Sequence, residues 1–122
     1  MSKQSIALTK FELEVMDLLW RLGEASVRQL HEAVDRGRPA YTTIQTIVQR
    51  LEQKGAVRRT RKIGNALLFE PLITRKSAYR RIIDELLDLV GGSQPLVAHL
   101  MESGKLSLDD LKAIEKAQRG RR

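Results

Sequence analysis

A chain of 122 residues is long enough for one compact domain, or for a small domain with an appended helical module. Hydrophobic residues make up 42% and charged residues 30%, a globular balance, and the lack of cysteine excludes disulfides and thiolate metal sites. Lys and Arg number 22 against 15 Asp and Glu, a net charge of +7 that points to nucleic acid or an anionic membrane surface, while 4% aromatic content argues against a stacking platform for single strands.

The start, Met1 to Ser5, leads directly into a capped amphipathic helix and not into an apolar signal region. Thr9-Lys10-Phe11-Glu12 fits a capping box, in which hydroxyl and carboxylate satisfy orphan amides. Phe11, Val15, Leu18, Leu19 and Leu22 follow as an apolar stripe, and Gly23 ends this first helix. Ser26-Val27-Arg28-Gln29 is a second capping box opening a short helix, with Val27, Leu30, His31 and Val34 inward, and Arg36-Gly37-Arg38-Pro39 breaks it.

The third helix, from Ala40 to Gly55, is the most informative stretch. Ile44, Ile47, Val48 and Leu51 recur at helical spacing on one face. The other face carries Thr42, Gln45, Thr46, Gln49, Arg50 and Gln53, polar and nearly free of acid. Solvent faces usually interleave Glu and Lys, a habit followed here only by Glu52 and Lys54. Hydroxyls, amides and a guanidinium are the groups that read base edges and hold phosphates. Basic charge clusters here too: from Arg36 to Lys62 the chain has Arg36, Arg38, Arg50, Lys54, Arg58, Arg59, Arg61 and Lys62 against the single acid Glu52.

Residues 57–63 and 66–72 are β-rich runs around Gly64-Asn65, the pattern of a hairpin. Helix-helix-helix-hairpin is the order of a winged helix-turn-helix. From Thr74 the period returns to helical, with Tyr79, Ile82, Ile83, Leu86, Leu87 and Val90 as a stripe that Gly91-Gly92-Ser93 breaks. Two shorter amphipathic segments follow, around Leu96, Val97, Leu100 and Met101, and around Leu108, Leu111 and Ile114 behind a Ser107 cap. Such short helices cannot bury their stripes alone, so they need the first domain or, the favoured reading, a second copy of themselves. The expected fold is mostly α with a small β hairpin: a winged helix-turn-helix over residues 6–73, a helical dimerisation domain over 74–118, and a basic, disordered tail over 119–122.

Leu8-Thr9-Lys10-Phe11-Glu12-Leu13-Glu14-Val15-Met16 with Leu19-Trp20, then Ala40-Tyr41-Thr42-Thr43-Ile44-Gln45-Thr46 with Arg50-Leu51 and Lys54-Gly55, then Leu96-Val97-Ala98-His99-Leu100 with Leu106-Ser107 and Asp110-Leu111, stand in a joint order and spacing that carry a resemblance. Over roughly residues 6 to 118 the chain resembles the penicillinase-repressor family of BlaI/MecI/CopY-type transcriptional repressors. The resemblance implies a homodimer with interlocked C-terminal helices, an inverted-repeat operator in double-stranded DNA, and a membrane sensor with a metalloprotease domain as partner. Antibiotic-responsive members are released by cleavage between an Asn and a Phe. The aligned pair here, the candidate induction cleavage site, is His99-Leu100, which departs from that pattern. The C-terminal cysteine cluster of copper-responsive members is absent.

For base contacts the expectation is Thr42, Thr43, Gln45 and Thr46, since a Gln can bond adenine bidentately and a Thr offers thymine both a hydroxyl and a methyl. The bland alternative is that Thr42 or Thr43 only caps the helix. Backbone contacts are expected from Arg28, Gln49, Arg50, Arg58, Arg61, Lys62 and Asn65. Arg28 has a surface salt bridge as its alternative fate. Strand alternation puts Arg59 and Arg61 on one face and Arg58, Thr60 and Lys62 on the other, so one set is only solvated. Dimerisation is assigned to Tyr79, Ile83, Leu86, Leu87, Val90, Val97, Leu100, Met101, Leu111 and Ile114. His31 and His99 lack companion ligands and read as packed or rim histidines, and Trp20 and Tyr79 as core or domain-junction residues. Asp84, Glu85, Asp88, Asp109 and Asp110 read as solvated faces. No phosphate loop, nucleophile elbow or metal-ligand spacing occurs, so neither an enzyme nor a cofactor or metal is expected. No apolar run reaches the ~20 residues of a membrane span, and a cytoplasmic location without membrane insertion follows. Two rival readings are a winged-helix regulator released by a small effector and a winged-helix module that docks on protein.

Overall fold

The computed structural model describes residues 6–34, 37 and 39–120. The expected start at Met1 to Ser5, Arg36 and Arg38 of the interhelical break, and Arg121 and Arg122 of the tail lie outside the described residues. The chain divides into two compact units, Met1–Ile82 and Ile83–Arg122.

In the first unit, α1 (Lys10–Leu22) starts at the expected box: Glu12 N–H donates to Thr9 Oγ1 (3.2 Å) and Thr9 N–H to Glu12 Oε1 (2.9 Å). α2 (Val27–Ala33) opens on the same device, with Ser26 and Gln29 bonded reciprocally at 3.1 and 2.9 Å. α3 (Tyr41–Lys54) ends at Gly55, whose φ of +82° is a left-handed geometry that favours glycine. One element was not legible in the sequence. Ala25–Ser26 is a two-residue strand, β1, too short to show a period, and its Ser26 announces itself only as a helix cap.

With β2 (Val57–Ile63) and β3 (Ala66–Pro71), β1 forms a three-stranded antiparallel sheet of order β1-β3-β2 among the described residues. Gly64 turns the hairpin at φ +61°. Pairing runs Arg58↔Glu70 and Arg59↔Phe69, then resumes at Lys62↔Leu67. Three residues of β2 thus advance against two of β3, a bulge inside the arginine-rich strand.

The core is where the stripes of α1, α2 and α3 meet the sheet. Val15, Met16, Leu19, Leu30, Ile44, Val48 and Leu51 are all sealed from solvent, joined by Val57, Phe69, Ile73 and Ala78. Leu22, expected in the α1 stripe, is instead half exposed at the helix end beside the Gly23 cap. Buried Glu12 (2% exposed) also accepts from Lys54 Nζ at 2.6 Å, and Lys54 donates to Ala7 O at 2.9 Å. Lys54 therefore ties the end of α3 to the start of α1 while its side chain stays about one-third exposed (35%).

α4 (Arg75–Val90) begins in this unit. Its first turns are clamped to α1: Trp20 Nε1–H donates to Ile73 O (2.9 Å), and Tyr79 packs edge-on against Trp20 at 6.2 Å. Tyr79 Oη donates to Asp17 Oδ1 (3.2 Å), and the Arg75 guanidinium lies 5.3 Å from the Trp20 ring centre. Tyr79, grouped by periodicity with the dimerisation stripe, thus spends its ring and hydroxyl on its own α1.

In the second unit the rest of α4 is followed by α5 (Ser93–Glu102) and α6 (Leu108–Arg119). Gly91 and Gly92 make the break after α4, and Ser107 with Asp110 forms the expected capping box on α6. α6 runs through Arg119, which pairs with Glu115 at 3.1 Å. Neither α5 nor α6 buries a single residue. No described helix is long and apolar enough to cross a membrane.

Candidate nucleic-acid interface

α3 owes its two faces to its sequence period. Ile44, Ile47, Val48 and Leu51 are buried, while Thr42, Thr43, Gln45, Thr46, Gln49 and Arg50 are all exposed. The helix starts at Ala40, which has no side chain to cap it, and its carbonyl takes the Thr43 N–H at 3.0 Å. The N-cap position thus falls on Ala40 and not on Thr42 or Thr43, and no side chain caps this helix. An uncapped helix N-terminus also leaves amides and positive dipole toward a ligand.

The outward face has a groove on either side. Toward the hairpin, a cleft of about 460 Å³ is lined by Ser26, Arg28, Tyr41, Gln45, Ile63 and Asn65 among others. Toward α1, a second groove brings Thr42, Thr43, Thr46 and Arg50 together with Thr9 and Phe11. The four expected base readers thus split, Gln45 on the hairpin side and the three threonines on the α1 side. Arg28 and Asn65, distant in sequence, meet Gln45 in the first cleft. Arg28 also makes the surface pair with Glu32 at 3.5 Å, both side chains mostly exposed, which is the alternative fate expected for it. Tyr41 was overlooked as a site residue. It is 43% exposed at the mouth of α3, and its ring meets that of half-buried His31 edge-on at 5.7 Å. His31 Nε2 lies 2.9 Å from Pro39 O, so this histidine fixes the turn into α3. Among the described residues no group of His, Cys, Asp or Glu could hold a metal.

The arginine ribbon differs from its expected alternation. Arg58 pairs across the hairpin with Glu70 (2.5 Å), Arg59 with Glu52 of α3 (2.8 Å), and Arg61 with Glu24 of the α1–β1 turn (3.0 Å). Thr60 Oγ1 donates to the same Glu24 carboxylate at 2.5 Å. Consecutive residues reach one carboxylate because the bulge suspends alternation between Arg59 and Lys62. The Thr60 hydroxyl and the Arg61 fork hold the Glu24 carboxyl below the usual range. Burial works against ionisation of Glu12, but the Lys54 ammonium and the Thr9 cap outweigh it and lower that carboxyl as well. Among the described residues Arg50 and Lys62 meet no carboxylate. The glutamates that neutralise the ribbon were missed because they lie seven to 37 residues away in sequence.

Residues 8–119 match the family model described as penicillinase repressor. The chain is 32% identical over 115 residues to the transcriptional regulator BlaI of Mycobacterium tuberculosis, covering 90% of this chain and 81% of that one. The fold is similar to the solution structure of the DNA-binding domain of the repressor BlaI, with a TM-score of 0.53 and 25% identity over 59% of this chain and 88% of that one. An organohalide-sensing transcriptional regulator in its ligand-free form shares the fold alone, with a TM-score of 0.54 and 15% identity over 97% of this chain and 64% of its own. With a nearly acid-free outward helix beside a basic hairpin and a match almost end to end, the chain belongs to the penicillinase-repressor family and is a DNA-binding winged-helix transcriptional repressor, not an enzyme.

Proposed function

We propose that the chain works in the cytoplasm as a homodimer on an inverted-repeat operator in double-stranded DNA. The observation that carries this reading is the exposed α3 face, uncapped at its start and lined by Thr42, Thr43, Gln45 and Thr46, with no carboxylate among its first three turns. Each α3 enters a major groove with those four residues at the base edges. Gln49 and Arg50 further along the helix, Arg28 and Asn65 at the hairpin-side cleft, and Arg58, Arg61 and Lys62 on the ribbon hold flanking phosphates.

Dimerisation is supported by the second unit. Ile83, Leu86, Val90, Val97, Met101, Leu111 and Ile114 are each between 36% and 52% exposed, with Leu87 and Leu100 half buried beside them. Apolar stripes on helices this short are stable only when another surface covers them. A second copy provides that cover, and twofold symmetry then matches a palindromic site.

Release follows from proteolysis within α5 at His99-Leu100 by a membrane sensor with a metalloprotease domain. The His99 side chain is exposed, and the bond lies less than one turn from the helix end at Ser103. Selected-sequence binding and footprinting with purified protein, alongside light scattering, test the reading. Two protected half-sites about one helical turn apart and a dimer mass are expected; failure to select any sequence overturns it. Intact mass of the repressor recovered from induced cells tests the cleavage, and an uncut chain after derepression removes that part.

A further inference from the structure

Three neighbouring arginines of the hairpin each hold a carboxylate, and two of those carboxylates come from outside it. Glu24 takes Arg61 through both oxygens, Nη2 at 3.0 Å and Nε at 3.3 Å, while also accepting from Thr60. Glu52 takes Arg59 in the same two-pronged way, at 2.8 and 3.4 Å. Arg50 and Lys62, in the same basic stretch, have no such partner among the described residues. Stability is a poor reason for the pattern. The Arg61 and Arg59 side chains are 64% and 57% exposed, and solvent screening leaves exposed pairs of this kind little stabilising effect.

We infer that Glu24 and Glu52 are specificity-determining residues of the DNA interface, which hold Arg61 and Arg59 neutral until a correctly placed phosphate displaces them. The inference rests on the proposed reading of α3 and the hairpin as a DNA-binding surface. A phosphate offers the guanidinium fork the same two-oxygen geometry as a carboxylate, so the exchange keeps the hydrogen bonds. On random duplex, without base contacts from α3, the exchange gains little, and only Arg50, Lys62 and the other uncommitted cations release counterions. On the operator, docking of α3 sets the backbone against the ribbon and the forks change partner. Neutralised arginines thus suppress sequence-independent binding, which scales with the number of phosphates neutralised, more than operator binding. The depressed Glu24 carboxyl agrees with a glutamate that is ionised, and so able to neutralise its arginine, at neutral pH.

Glu24→Gln removes the charge but keeps an oxygen for Thr60. Binding of full-length wild type, Glu24→Gln, Glu52→Gln, Glu24→Gln/Arg61→Ala and Glu115→Gln to operator and random duplex is measured across a salt series. Glu115→Gln releases Arg119 in α6, so it makes the same change in net charge away from the hairpin. Glu24→Gln and Glu52→Gln should each bind random duplex roughly three- to tenfold tighter at physiological salt, with a salt slope steeper by up to ~0.9 and a smaller operator-to-random ratio. The double variant should lose the gain, and Glu115→Gln should show none. Unchanged random binding in folded Glu24→Gln and Glu52→Gln overturns the inference, as does a gain that survives removal of Arg61 or appears equally in Glu115→Gln. Wild type without salt-dependent duplex binding defeats the DNA reading itself, and this inference with it.

Discussion

The two units of this chain close their surfaces differently. Around α1, α2, α3 and the sheet, most apolar stripe residues lie in a sealed core, and the outward face of α3 carries hydroxyls, amides and a cation. In the second unit the apolar stripes of α5 and α6 stay in solvent, and Leu108, Leu111 and Ile114 are 65%, 37% and 52% exposed. The first unit buries a core within one chain; in the second the capping boxes and glycine breaks are in order, yet no residue of α5 or α6 is buried. Local rules build the helices, and only a further surface supplies the burial that makes them stable.

The strongest way to break this contrast is to separate the units. A fragment ending at Ile82 should fold, remain monomeric in light scattering, and lose about 10²–10⁴ in operator affinity, because the second half-site is no longer tethered. A dimeric fragment would move the dimer contacts into the first unit. Next in size, Leu51→Ala should cost about 2–5 kcal/mol in urea unfolding, because a fully buried leucine leaves a cavity. Ile114→Ala should leave the melting of the first unit unchanged while raising the dimer dissociation constant. Equal effects on both would show one cooperative core.

The remaining tests sharpen what the first unit does with its complete surface. Gln45→Ala should reduce discrimination at one base pair by about 1–3 kcal/mol in competition binding, with random-duplex affinity little changed. Equal loss on both duplexes would reduce Gln45 to a backbone contact. The smallest effect is on pH. The folded Glu12 carboxyl lies below its ordinary 4.5, so its stabilising contribution is full above that value and drains away as pH falls through the folded pKa. Denaturation midpoints should therefore drop on acidification in wild type and drop less in Glu12→Gln. Parallel curves would show that the Lys54–Glu12 bond contributes nothing.

What was legible in the sequence was whatever a few neighbouring residues decide. Thr9 with Glu12 and Ser107 with Asp110 make their caps within one turn, and Ile44 to Leu51 declare a buried face by spacing alone. The dispersal of the site was not legible. Whether Arg61 faces solvent or a carboxylate depends on Glu24, 37 residues earlier, and on a bulge that alternation cannot foresee. Lys54 looked like an ordinary surface cation because its partner Glu12 is 42 residues away. β1 escaped because two residues carry no period.

Ala40 at the head of α3 has a consequence for heat tolerance. Ser, Asn or Asp at an N-cap stabilises a protein by about 1 kcal/mol over Ala, so this helix forgoes an improvement that one substitution would supply. Ala40→Asp should raise the melting temperature by a few degrees in calorimetry, yet, if α3 docks as proposed, set a carboxylate against the duplex and weaken operator binding. A repressor selected for thermal endurance would be driven toward that change, and one selected for occupancy of its site away from it.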